Sequence, residues 1–336
     1  MASDDLTPVE RKRMCAGLSG VIDISDYSHQ GHRSLFIISQ WKIIKECNAR
    51  FKRSFFQPRL DSDLHSVYIV WDIIHKTLAQ DHNIFHARKT FNHLSSENHT
   101  NEYTFKQLQI IDHILDSFDN KQYILNPAKT TKFTERDYES TIWSGESVEE
   151  TTKKKAQQYG SDKNIIGFKV DIRLIHDHED LEIDLVSIDI SLPFPDDAKV
   201  CHDESKLLRE SAISTETIHH LLNDDYVYTW TIRVSGLTAI LSKVLYDDER
   251  QIYVNIYQFT LIFPTCISDL EDWKDSLESL FKFKEDVERI ANKVQKELKH
   301  TQRCIYRSED ISPERKLAPT PSVYFTPPRN EAHRSV

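Results

Sequence analysis

Asp171 and Asp189 are the residues whose spacing best suits joint chemistry. Each falls in a stretch where apolar and polar residues alternate, and antiparallel pairing of the two stretches would bring their carboxylates close together at one end of a sheet. Ser191 follows Asp189 by two positions and shares its face. Missing motifs remove other chemistries. The chain has only 7 glycines and contains no G-x-x-x-x-G-K-[ST], no G-x-G-x-x-G and no G-x-S-x-G, so nucleotide-loop and serine-hydrolase readings lose their main support. H-E-x-x-H is absent as well. His176 and His178 would share one face of a strand, but their setting among Asp177, Glu179 and Asp180 reads as a polar turn rather than a ligand pair. His219 and His220 are neighbours on an expected helix and so point apart, one inward and one outward; His29 and His32 receive no role.

The aspartates need strands to carry them. From Gly167 the apolar period changes from that of a helix to that of a strand. Phe168, Val170, Ile172 and Leu174 share one face, and Lys169, Asp171 and Arg173 the other. After the turn expected at 176–180, a second strand spans 181–191 and closes an antiparallel hairpin. Leu181, Ile183 and Leu185 line one face; past a bulge near Ser187, Ile188 and Ile190 turn inward, with Asp189 and Ser191 opposite. A helix over 203–222 follows, with Leu207, Leu208, Ile213, Ile218 and Leu222 at inward positions. Three more strands are predicted at 226–234, 238–246 and 252–263, ended by Pro264. A long amphipathic helix over 268–300 carries Leu270, Trp273, Leu277, Leu280, Phe281, Val287, Ile290, Val294 and Leu298, with a break near Phe283.

The fold class is therefore α+β: a mixed sheet of about five strands flanked by helices. Residues 1–32 read as a weakly ordered arm. Residues 33–130 read as a helical region with helices over 34–51, 63–79 and 104–118, although 68–71 fits a short buried strand equally well. The sheet core spans 134–303. The tail at 304–336, with Pro313, Pro319, Pro321, Pro327 and Pro328, is too polar to offset its ordering entropy and reads as disordered. The net charge of −10 argues against general affinity for a phosphate backbone and favours a protein partner over nucleic acid. The short basic runs Arg11-Lys12-Arg13 and Lys153-Lys154-Lys155 read as solvated surface. The five cysteines are widely spaced with no C-x-x-C pair, so reduced thiols and a cytoplasmic or nuclear location are expected. No stretch approaches the roughly 20 apolar residues needed to span a bilayer, so no membrane role is expected.

Gly167-Phe168-Lys169-Val170-Asp171, then Ser187-Ile188-Asp189-Ile190-Ser191, then Lys206-Leu207-Leu208-Arg209 resemble the PD-(D/E)XK, restriction-endonuclease-like core found in a large set of uncharacterised fungal proteins. Asp137-Tyr138 and Trp143 match the helix that precedes that core in those proteins, and the similarity covers about residues 134–298. The resemblance implies that Asp171 and Asp189 would hold Mg²⁺, while a lysine positions and polarises the attacking water. Ser191 stands where that lysine belongs. A hydroxyl cannot supply its positive charge, and losing such help costs several kcal/mol of barrier. Lys169 or Lys206 could serve as a relocated lysine and Glu139 as a third carboxylate. The expected function is a catalytically inactive nuclease-fold binding or interaction module, of mobile-element origin and needing no cofactor. The alternatives are a weak Mg²⁺-dependent nuclease with a relocated lysine, and a structural adaptor. In the plainest reading, Asp171 and Asp189 are solvated on an exposed sheet face and Lys206 is a surface charge.

Overall fold

The computed structural model describes residues 7, 10, 14, 16–24, 32–55, 62–97, 102–120, 146–147, 169–170, 172–178, 181–192, 196–224, 227–270 and 273–307. In chain order the strands are β1 (Val21–Asp23), β2 (Glu146–Ser147), β3 (Lys169–Val170), β4 (Ile172–His178), β5 (Leu181–Ser191), β6 (Tyr228–Ser235), β7 (Thr238–Asp247) and β8 (Ile252–Ile262). The α-helices are α1 (Ile38–Phe55), α2 (Ser62–Asp81), α3 (Ile84–Glu97), α4 (Glu102–Asn120), α5 (Asp197–Leu222) and α6 (Trp273–Arg307). Six strands form one mixed sheet in the order β1-β8-β7-β6-β5-β4, and β2 pairs with β3 in a separate ladder. The expected α+β class and helix-flanked mixed sheet are thus present, with six strands where about five were expected.

The additional strand comes from the stretch expected to be a weakly ordered arm. Val21, Ile22 and Asp23 pair in parallel with Tyr253, Val254 and Asn255. Val21 and Asp23 are fully buried, and the buried His32 ring accepts the Asp23 N–H through Nδ1 at 2.7 Å. Three residues are too few to declare a strand by alternation; long-range pairing supplies what the local sequence does not.

The hairpin that carries the candidate site joins β4 to β5 from Ile172↔Ile188 to His178↔Leu181. His176 and His178 therefore belong to a strand, which corrects the expected turn at 176–180; the ladder continues because each finds a cross-strand partner in β5. The expected bulge is present but two positions earlier: Leu174 pairs with Val186 and Ile175 with Asp184, so the register steps past Leu185. This extra residue turns Ile183 and Val186 into the same hydrophobic core. The single strand expected over 168–175 is divided. Lys169 pairs with Ser147 and Val170 with Glu146, while the β4–β5 ladder begins at Ile172.

From β5 the chain crosses through α5 to β6, which lies beside β5 in parallel. The ends of α5 are specified locally. Asp196 caps its start by accepting the Lys199 N–H at 2.7 Å, and Asn223 ends it in the left-handed region at φ 47° with its N–H on the His219 carbonyl. Strands β6, β7 and β8 then form an antiparallel meander.

Two apolar cores share α6. One joins Ile183, Val186, Trp230, Leu241 and Ile256 of the sheet to Ile290 and Val294 of α6. The other joins Val67, Ile74, Leu108, Ile111 and Leu115 of the helical region to Leu277 and Phe281. The helix runs unbroken through Phe283, contrary to the expected break. Phe281 and Phe283 point to different sides because two residues advance a helix by about 200°. Phe281 fills the helical core, while the Phe283 ring meets Trp230 edge-on with centroids 5.0 Å apart. The helix also continues through Cys304 and Arg307, into the expected tail.

The expected helix over 34–51 begins later, at Ile38, after a single 3-10 turn over His32–Leu35. Segment 68–71 lies inside α2 rather than in a strand. Helix α3 has no counterpart in the sequence reading; it packs Ala87 and Phe91 into the helical core.

Candidate functional site

Asp189 sits near the end of β5 that lies against α5. Its side chain is 5% exposed and accepts a hydrogen bond from Lys206 Nζ at 3.0 Å. Lys206 reaches it from α5 with a side chain 18% exposed. Neither residue is the solvated surface charge of the plainest sequence reading. Burial raises the Asp189 carboxyl above its ordinary range, against the opposing pull of Lys206. Ser191, the residue where the resemblance expects lysine, uses its hydroxyl on the Val234 carbonyl at 3.1 Å.

Glu210 lies one helical turn beyond Lys206, on the same face of α5. It is 0% exposed, and both carboxyl oxygens are buried with no hydrogen-bond partner among the described residues. Its carboxyl is pushed well above the ordinary range, first by burial and then by Asp184, against the pull of Lys206 and Arg173. Asp184, two residues deeper than Glu182 on β5, is buried and held by Arg173 Nε at 2.5 Å. Burial still raises its carboxyl more than Arg173 lowers it.

The space between β5 and α5 therefore encloses three acids and two cations. Sequence reasoning named Asp189 and Lys206 and missed Glu210, Asp184 and Arg173. The signals were present: Asp184 interrupts the apolar run Ile183 to Val186, and Glu210 follows Lys206 by four residues. Further polar contacts join α5 to β6. Thr229 and Thr215 join hydroxyls at 2.8 Å, Thr229 donates to the Ser211 carbonyl at 3.0 Å, and Arg233 meets Glu204 at 3.0 Å.

Asp171 and Glu139 lie outside the described residues, as does the expected helix with Asp137, Tyr138 and Trp143. For Lys169 only the backbone pairing with Ser147 is described. Mg²⁺ requires several oxygen donors in near-octahedral geometry. Among the described residues no group of three or more His, Cys, Asp or Glu is placed to hold a metal, and Asp189 already has Lys206 as its counter-ion.

A second buried charge group occupies the opposite face of the sheet, under α6. Asp286 accepts from Lys243 Nζ at 2.7 Å, Tyr228 Oη at 2.6 Å, Trp230 Nε1 at 3.0 Å and Arg289 at 2.6 Å. Arg289 also donates to Tyr228 Oη. Burial pushes the Asp286 carboxyl up, but these partners together hold it below its ordinary value. Lys243 lies over the rings of both Tyr228 and Trp230, at 4.2 and 4.5 Å from their centroids. Every Asp286 oxygen is engaged, and the group fixes α6 to β6 and β7.

No helix among the described residues is long and apolar enough to cross a membrane. No protein-family model matches this chain, and neither a curated protein nor a solved structure matches it.

Proposed function

We propose that this chain is a nuclease-fold module whose hydrolytic site has been converted into a structural ion pair, leaving binding of a protein partner as its role. The carrying observation is Asp189. Its carboxylate is withdrawn between β5 and α5 and neutralised by Lys206 at 3.0 Å. A metal-ligating carboxylate must offer its oxygens to the ion and the ion to the substrate; one buried against an ammonium offers neither.

The restriction-endonuclease-like assignment draws support from connectivity. The hairpin strand β5, which carries Asp189, leads into helix α5, which carries the Lys206-Leu207-Leu208-Arg209 segment, in the order of the motifs that carry the resemblance. A protein partner is favoured over nucleic acid by the net charge of −10, since duplex binding depends on clustered cations.

The runner-up is a weak Mg²⁺-dependent nuclease with Lys206 as its relocated lysine. It is favoured by the same 3.0 Å contact, because a relocated lysine has to reach the second acid. Calorimetry with Mg²⁺ and with Mn²⁺ on wild type and Asp189→Ala, run beside a plasmid-cleavage assay, separates the two. The module reading expects no heat attributable to Asp189 and no cleavage. Binding lost in Asp189→Ala, together with metal-dependent cleavage, would replace it with the nuclease.

A further inference from the structure

Helix α6 changes its charge along its length. From Trp273 to Glu288 it has three lysines and five acids; from Arg289 to Arg307 it has six lysines and arginines against the single acid Glu297. The first half neutralises itself. Lys282 meets Glu278 at 2.5 Å and Lys284 meets Glu288 at 2.6 Å, each one turn away. In the second half Lys293 is taken by Asp224 at 3.0 Å, but Lys296, Lys299 and Arg303 are exposed and enter no ion pair among the described residues.

These three form one stripe. With 3.6 residues to the turn they lie about 140–200° around the helix from Val294, which is fully buried in the sheet core. Their field reaches the sheet edge, since Lys299 is among the groups that lower the basicity of His176 on β4, after burial and His178. The helix dipole does not account for the stripe: it favours cations only within the last turn, well short of Lys296 and Lys299. Solubility does not either, because it is served by charges of both signs.

We infer that this stripe docks an acidic segment of a protein partner, whose carboxylates, about 5–6 Å apart, pair with Lys296, Lys299 and Arg303. The inference rests on the proposed role in binding a protein and adds the chemistry of the partner. The stripe is only about 10 Å long from Lys296 to Arg303. A short acidic segment fits that length and feels little beyond a Debye length of about 8 Å. A duplex presents a charge about every 1.7 Å along its axis, and its remainder would face a chain of net charge −10.

Fluorescence anisotropy of the full chain with a labelled Glu/Ala peptide, Glu at every third or fourth position, tests this. Reversing the stripe in Lys296→Glu/Lys299→Glu/Arg303→Glu should weaken binding about tenfold or more, as the loss of three exposed pairs implies. Lys45→Glu/Lys76→Glu/Lys89→Glu makes the same change in net charge at exposed positions on α1, α2 and α3 and should leave the affinity within about twofold. On the wild type, carbodiimide should cross-link the peptide to Lys296 and Lys299, a readout that needs no variant to fold. No binding to the wild type, equal weakening in both triple variants, or cross-links confined to other lysines would overturn the proposal. So would a random-sequence duplex that displaces the peptide and loses its own affinity with the stripe, because the partner would then be nucleic acid. None of these results bears on Asp189, which metal calorimetry and plasmid cleavage test separately.

Discussion

Replacing Lys206 by methionine isolates the central contact of the candidate site. Methionine keeps the length of the stem and removes the ammonium, leaving the Asp189 carboxylate, 5% exposed, without the donor that reaches it at 3.0 Å. Breaking a buried pair from one side costs about 3–5 kcal/mol, because the remaining charge has neither partner nor solvent. The loss should depend on pH in a defined direction. Burial already holds the folded Asp189 above the ordinary value of 3.8, and Lys206 opposes that rise. Removing Lys206 lifts the folded carboxyl further, so the native state binds more protons than the unfolded one as pH climbs past the unfolded value. Stability then falls with rising pH. Urea unfolding of Lys206→Met should show the full penalty at pH 7 and progressively less as pH falls to below the unfolded value of 3.8, where Asp189 is protonated in both states. The double variant Asp189→Asn/Lys206→Met, with no buried charge at the site, should recover most of the loss at pH 7. A penalty below about 1 kcal/mol at pH 7, as for an exposed pair, would show that Asp189 is hydrated in solution. Equal penalties at pH 4.5 and 7.5 would refute the electrostatic explanation.

Glu210→Met should stabilise the protein, because it removes a carboxyl with no hydrogen-bond partner among the described residues, a defect worth about 1–3 kcal/mol. Since the folded carboxyl is held well above 4.5, wild type loses stability as pH rises beyond that value; the advantage of the variant, read from urea midpoints, should widen from pH 5 to pH 8. Asp286→Ala should cost about 3–5 kcal/mol by leaving Lys243 buried and unneutralised. The depressed Asp286 carboxyl stabilises the fold above the ordinary carboxylate range, and that contribution should fade on acidification, so the wild-type and Asp286→Ala denaturation curves should converge at low pH. Phe281→Ala, at a fully buried position, should cost about 3–5 kcal/mol in chemical unfolding.

Elements with sustained periodicity were legible in the sequence. Strand β5 matches its predicted bounds, and Leu207, Leu208, Ile213 and Ile218 of α5 are buried as their spacing implied. Elements defined by distant partners were not legible. Strand β1 exists through Tyr253 to Asn255, more than two hundred residues away in the chain. His176-Asp177-His178 looks like a turn by composition and becomes a strand by pairing with β5. The apparent break at Phe283 was a change of neighbour and left the backbone path intact. At the site, two of the five enclosed charges were named in advance. The others were hidden because a sequence pattern assigns lone acids and arginines to the surface, and only packing reveals that Arg173 neutralises Asp184 inside.

Helix α6 has 35 residues, a length of about 50 Å at 1.5 Å per residue. Its first turns complete one interior and its middle turns another. The two halves of the protein are therefore tenants of a single beam, and neither can melt without exposing apolar surface on that shared member. One cooperative transition should be seen in calorimetry despite two separate interiors. Proteolysis between Phe281 and Ile290 should collapse both halves and release no stable fragment.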